Sequence, residues 1–253
     1  MQAPIYLSLI IPAYNEERRL PITLEKVLHF INQQAFKAEV IVVENGSTDR
    51  TAEIVRELAS RQPDLYYLTE AVPGKGNAVR RGMLAAKGEY RFMADADLSM
   101  PIEETIHFIP PQLTHFDIAI ASREAPGAVR YSEPAYRHWG GRAVNTLIRL
   151  LALPGLHDTQ CGFKCFRAPI AEDLFRQQTL TGWSFDIELL YIARMRGYRV
   201  VELPIPWHFR AESKINPVQD ALRMLLDILT IRKNALQGKY APQPSPHSNT
   251  SRA

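Results

Sequence analysis

Two aspartates, Asp95 and Asp97, stand one residue apart directly behind an apolar run in "EYRFMADADLSMP". Like charges this close repel, so the spacing calls for something positive between them. Oxygen-only donors at short spacing suit Mg2+ or Mn2+, which keep some water and also bind the phosphate groups of a substrate. The competing reading is a solvated loop with incidental acids. Position favours the first, because a buried strand would deliver both carboxylates to one edge of the molecule.

Two other stretches carry groups of the same kind. "PGKGNAVRRG" (Pro73 to Gly82) sets Lys75 between two glycines at the start of an expected helix, where backbone amides and a cation could meet an anion. It lacks the spacing of a nucleotide-binding P-loop, and it does not follow the first strand as a dinucleotide fingerprint would. "PAYNEE" offers an aromatic ring, an amide and carboxylates in Tyr14, Asn15 and Glu16, groups suited to a base or a ribose but equally ordinary in a helix-capping loop.

The elements that must position these groups alternate regularly. "YLSLIIP", "EVIVVE", "LYYLTE", "EYRFMA" and "FDIAIAS" read as short strands rich in β-branched and aromatic residues. Between them, "LPITLEKVLHFINQQ", "STDRTAEIVRELASRQ" and "GNAVRRGMLAAKG" carry helical periodicity. Strand and helix in alternation predict an α/β fold with a doubly wound, mostly parallel sheet flanked by helices. Ligands then gather beyond the carboxyl ends of the strands, where these polar stretches fall. Downstream, helices are expected over Ala135 to Leu151, Pro169 to Gln178, Phe185 to Arg196 and Pro217 to Leu236, with "HDTQCGFKCF" as a loop and "YRVVELPIPWHF" as a strand leading into a proline-punctuated segment.

At 253 residues, 46% hydrophobic and 23% charged, the chain has the composition of an ordinary globular protein. A net charge of only +3 argues against a general nucleic-acid binder. Cys161 and Cys165 are too few for a disulfide framework or a zinc site, which makes a cytoplasmic location the expectation. The start "MQAPIYLSLIIP" reads neither as a signal peptide nor as a membrane span, and the Pro/Ser-rich stretch 241–253 reads as a disordered tail.

In order along the chain, "IIPAYNEE", "VVENGSTDRT", "PGKGNAVRRG" and "MADADLS" resemble the inverting glycosyltransferases of family 2, whose fold is the nucleotide-diphosphosugar transferase fold GT-A. "ASR", "DTQCGFKCF", "GWSFDIELLYIA" and "ELPIPWHFRAESKI" resemble one subgroup more closely. Its members move a sugar onto a polyprenyl phosphate: dolichyl-phosphate β-glucosyltransferases above all, with dolichyl-phosphate mannose synthases close behind. The resemblance runs from about Leu7 to Ile215. It implies one GT-A domain over 1–238, with a nucleotide-sugar half at about 5–125, an acceptor half at about 126–216 and an amphipathic helix at about 217–237.

The resemblance also implies roles. The donor would be a nucleotide sugar, UDP-glucose or GDP-mannose, and the acceptor a polyprenyl phosphate. Pro12, Tyr14 and Glu16 would hold the nucleoside, with Lys75 near the base or diphosphate. Asp95 and Asp97 would meet Mg2+ or Mn2+ and the sugar diphosphate, with Ser99 in a third-ligand position. Gln160 would lie near sugar or acceptor, and Arg123, Arg137, Ser213 and Lys214 would grip phosphates. One departure stands out: the family's paired acids in the second loop are here Glu44 and Asn45, whose amide can still reach a base edge.

Asp186 in "WSFDIELL" would act as a base if the acceptor were a sugar hydroxyl; the alternative is an acid favoured by the dipole at a helix start. Trp183 and Phe185 read more readily as packing than as sugar-stacking residues. In the last helix, Val218, Ala221, Leu222, Leu225, Ile228 and Leu229 form a stripe followed by Arg232 and Lys233. Such a stripe packs on its own domain more often than not, with its exposed part available to a membrane surface. A sugar-nucleotide-binding scaffold without catalysis is the reading from outside enzymology.

Overall fold

The computed structural model describes residues 3–132, 134, 146, 148–209 and 217–241. Seven strands form one sheet, in the order Leu65–Thr69, Ala38–Glu44, Leu7–Ala13, Tyr90–Ala94, Phe163–Arg167, Ile118–Ser122 and Val200–Pro204. The first half supplies β1 (Leu7–Ala13), β2 (Ala38–Glu44), β3 (Leu65–Thr69), β4 (Tyr90–Ala94) and β5 (Ile118–Ser122). These five are the strands expected from the sequence. Between them lie α1 (Leu20–Asn32), α2 (Thr51–Arg61), α3 (Lys75–Ala85) and a 3-10 helix, Ile102–Phe108. A short parallel pair, β6 (Val129–Tyr131) and β9 (Pro206–His208), stands apart from the main sheet.

Every residue of β2 is buried, as a strand covered on both faces must be, which is why it reads as a continuous apolar run. Side chains alternate between two cores. Leu9, Ile11, Val40, Val42 and Phe92 face one layer with α1; Ile10, Ile41, Val43 and Met93 face the other with Val79 and Met83 of α3.

The second half departs from expectation first in the sheet. The stretch read as the loop "HDTQCGFKCF" ends in a strand, β7 (Phe163–Arg167). It runs antiparallel to both neighbours, pairing Phe92 with Cys165 on one side and Ala119 with Cys165 on the other. β8 (Val200–Pro204) then joins β5 in parallel. Phe92, Phe108 and Phe163 meet edge to face, with centroids 4.5 to 5.5 Å apart, as a stiff aromatic floor beneath the exit of β4.

Further helices among the described residues include α4 (Ala168–Gln177), α5 (Phe185–Met195) and α6 (Pro217–Leu236). Most of the helix expected over Ala135 to Leu151 lies outside the described residues, as does the tail from residue 242. α6 has the expected bounds, but the stripe turns out differently. Met224, Ile228 and Ile231 face the core, whereas Leu222 and Leu229 are exposed; the side chains of Val218 and Ala221 lie outside the described residues. Among the described residues, no helix is long and apolar enough to cross a membrane.

Candidate active site

The carboxyl end of β4 delivers Asp95 and Asp97 into a loop tied down at several points. Leu98 takes a left-handed conformation (φ 44°), and its amide donates to the Asp95 carbonyl at 3.2 Å. The Ser99 amide donates to Asp97 Oδ1 at 2.9 Å. Below, the Thr23 hydroxyl holds the Ala96 carbonyl at 2.6 Å, and the His208 amide at the end of β9 donates to the Ser99 carbonyl at 2.7 Å. Ser99 itself is buried, Asp97 half-buried.

Asp95 lies in a cradle that only glycine permits: a Cβ at Gly162 would overlap its carboxylate. Gly162→Ala must therefore push Asp95 aside. A displacement of about 1 Å in a reacting constellation costs about a hundredfold in rate. The expected outcome is a loss of that order in kcat, with an unchanged melting temperature; steady-state kinetics beside thermal denaturation checks both.

Facing Asp95 is Lys75, the first residue of α3, whose ammonium lies 2.5 Å from Asp95 Oδ1 and 5.0 Å from the centre of the Trp183 ring. Burial alone would lower the Lys75 pKa, but Asp95, then Asp186 and Asp97, hold it above its ordinary value. The flanking glycines do not wait for an anion. The Gly76 amide donates to the Thr181 carbonyl at 2.8 Å, and a Cβ at Gly76 would stand 2.9 Å from that oxygen. A Cβ at Gly74 would overlap it. These glycines let the 181 loop press onto the start of α3, which corrects the anion-cradle reading and leaves Lys75 as the charged element of the turn. Trp183, expected to pack, is 51% exposed at the mouth of the site, whereas Phe185 is fully buried as expected.

Asp186 and Glu188 enter from the first turn of α5 and do different work. The buried Asp186 accepts from Lys164 Nζ at 2.6 Å. Burial raises the Asp186 pKa, with Lys164 and Lys75 pulling against it. Lys164, in the middle of β7, also donates to the Cys161 carbonyl at 2.8 Å. Glu188 is fully buried and accepts from the Leu180 and Thr179 amides at 2.8 and 2.9 Å and from the Tyr240 hydroxyl at 2.7 Å, fixing the loop that carries Thr181 and Trp183. Sequence alone singles out neither Lys164, which lies in the stretch that reads as a loop, nor Glu188, which lies in an apolar run that signals only a core helix.

Arg123, expected to grip phosphate, is committed to a neighbour. It forks onto the fully buried Asp158, Nε to Oδ2 at 2.6 Å and Nη2 to Oδ1 at 2.9 Å, and lies 5.6 Å from the centre of the Trp207 ring. Burial would raise the Asp158 carboxyl; the guanidinium overrides it and holds it at about 2. The folded carboxyl thus lies below its ordinary value of about 3.9, and its stabilisation is full above that pH. It is worth on the order of 2–3 kcal/mol and is lost as pH falls from about 4 through about 2. Urea melts across that window should show this slope in the wild type and a shallower one in Asp158→Asn.

Gln160 is half-buried, its amide donating to Asp158 Oδ1 at 3.3 Å. Arg137, Ser213 and Lys214 lie outside the described residues.

At the carboxyl end of β1, Pro12 is half-buried and Tyr14 is 48% exposed. The Glu16 carboxylate pairs with Arg19 through two contacts of 2.7 Å. Asn45 is buried and brackets the adjoining loop: its Nδ2 donates to the Glu70 and Val72 carbonyls at 3.0 and 2.9 Å, and its Oδ1 accepts from the Gly74 amide at 2.7 Å. The side chain is thus a clamp that shapes the approach to Lys75. Among the described residues, no three acidic, histidine or cysteine side chains form a metal cluster. The available donors at the β4 exit are carboxylate and hydroxyl oxygens, a hard set that fits Mg2+ or Mn2+ completed by phosphate oxygens and water.

The description "Glycosyl transferase family 2" matches residues 8–175. The dolichyl-phosphate beta-glucosyltransferase of Dictyostelium discoideum is 32% identical, over 92% of this chain and 76% of its own length. The human protein of that name is also 32% identical, over 92% of this chain and 77% of its own. Among solved structures, glucosyl-3-phosphoglycerate synthase from Mycobacterium tuberculosis, crystallised with Mn2+, UDP and phosphoglyceric acid, superposes with a TM-score of 0.64. It is 19% identical and covers 95% of this chain and 80% of its own. The chain belongs to glycosyl transferase family 2 and is a glycosyltransferase of the GT-A fold.

Proposed function

We propose that this enzyme transfers glucose from UDP-glucose to a polyprenyl phosphate of the dolichyl type, inverting the anomeric centre to give a β-linked lipid phosphate sugar. Relatives named dolichyl-phosphate beta-glucosyltransferase, similar over nine-tenths of the chain, support the donor sugar and the acceptor. The observation that carries the choice of acceptor is the Lys164–Asp186 pair. A sugar hydroxyl must lose a proton as it attacks, whereas a phosphate monoester is already ionised near neutral pH. Asp186, the family's candidate base, is buried and held 2.6 Å from an ammonium, an arrangement suited to an acceptor that needs no base.

The chain's own groups divide the remaining work. Tyr14 and Glu16 border the nucleoside end, and Asn45 holds the loop between them and Lys75. Lys75 carries positive charge to the diphosphate, within reach of Asp95. Asp95, Asp97 and, as a third oxygen, Ser99 would hold Mg2+ or Mn2+. A bound divalent ion supplies Lewis-acid stabilisation of the leaving diphosphate. Gln160, on the loop anchored by Asp158 and Arg123, would meet the sugar or acceptor, and Arg137, Ser213 and Lys214 would grip its phosphate. Placement and charge screening then account for most of the acceleration.

A donor panel of UDP-glucose and GDP-mannose with a short-chain polyprenyl phosphate, with and without Mn2+, tests this directly. Metal-dependent incorporation of glucose into an acid-labile lipid is expected. Transfer from GDP-mannose alone, or to a free saccharide hydroxyl in preference to the lipid, would refute it.

A further inference from the structure

We propose that the outward face of α6 docks the enzyme onto an anionic bilayer surface. The inference rests on the lipid-phosphate reading above for its purpose but on separate residues for its evidence. Leu222, Leu226 and Leu229 are 62%, 57% and 62% exposed, and their spacing of four and three residues stacks them on one side of the helix. The opposite side is anchored by Met224, Ile228 and Ile231 in the core, so the leucines are held outward by a packed helix. A soluble domain seldom exposes three large apolar side chains in a row without a partner for them.

The nearby charges select the partner. Among the described side chains of the same helix, Arg223, Arg232 and Lys233 are exposed and Asp227 is half-buried; the side chain of Asp220 lies outside them. An open groove of about 400 Å3 continues the surface toward the end of α5, where Leu150 and Met195 are exposed beside Arg194 and Arg232. Leucines flanked by cations match a layer of anionic headgroups over acyl chains.

The docked element is also wired to the site. Asn234 of α6 donates to the Thr179 hydroxyl at 3.1 Å, and Tyr240 just beyond the helix donates to Glu188 at 2.7 Å. Both partners belong to the bracket that fixes the Thr181–Trp183 loop over Lys75. Docking through α6 would therefore hold the catalytic mouth at a set height above the membrane surface.

Flotation of the full chain with phosphatidylcholine vesicles containing about a quarter phosphatidylglycerol, and with pure phosphatidylcholine vesicles, tests the proposal. The wild type should float with the anionic vesicles. Leu226→Glu/Leu229→Glu and, separately, Arg232→Glu/Lys233→Glu should each weaken partitioning by at least about tenfold. Both variants should keep their melting temperature and their turnover on a short, water-soluble polyprenyl phosphate. A wild type that floats with neither vesicle, or a double leucine variant that floats as well as wild type, overturns it. So does conversion of a dimer to a monomer in the leucine variant with vesicle binding unchanged, which would assign the face to a second copy. Vesicle binding without glucose transfer would remove the proposed activity and leave the docking face standing.

Discussion

Asp97→Asn is expected to lower glycosyl transfer by at least about a thousandfold while shifting the melting temperature by less than about 3 °C. The contrast follows from what each atom of the side chain does. Asp97 Oδ1 accepts from the Ser99 amide, which keeps the loop in register, and the oxygen of an asparagine can accept the same bond. What the substitution removes is a charge. Its neighbour Asp95 already has an ammonium at 2.5 Å, so of the two Asp97 is the acid whose charge is less answered by the described side chains. If that charge serves a divalent ion and a departing diphosphate, its loss is felt in the transition state and hardly at all in folding. Turnover with saturating donor, read against a thermal melt, separates the cases. A variant that loses more than about 5 °C would show Asp97 to be a structural acid instead.

The parts of this site that could be read from the sequence are those that announce themselves locally. Buried parallel strands appear as apolar runs, and the polar stretches behind β1, β2 and β4 fall at the ligand edge because a doubly wound sheet puts them there. The parts that could not be read depend on partners distant in the chain. Asn45 offers an amide in the sequence; only the return of Glu70, Val72 and Gly74 shows it to be a clamp. The glycines around Lys75 suggested an anion, since nothing local reveals that the Thr181 carbonyl presses on them. "GFKCF" reads as loop because a lysine inside it breaks the apolar pattern, and its burial makes sense only with Asp186, 22 residues away. In α6 the bounds were legible from Pro217 onward, but a helix with leucines on several sides does not announce which of them face the core.

That buried lysine gives the second large effect. Lys164 is 1% exposed and Asp186 4%, so removing one partner leaves a charge with no solvent to receive it. Breaking such a pair costs about 3–5 kcal/mol, and Lys164→Met is expected to lose that much in urea denaturation. The same change frees the Cys161 carbonyl, one residue before the glycine against which Asp95 rests, so activity should fall beyond what lost stability explains. The double variant Lys164→Met/Asp186→Leu removes both charges together, and most of the stability should return, because an apolar pair of similar volume often replaces a buried ion pair at little cost. Its activity is the sharper reading. If transfer to a lipid phosphate recovers with stability, Asp186 is a counter-ion that positions β7 against α5, as its 2.6 Å contact with Lys164 implies. If the fold recovers and transfer does not, the carboxylate takes part in the reaction, and the acceptor would need the base that a phosphate does without.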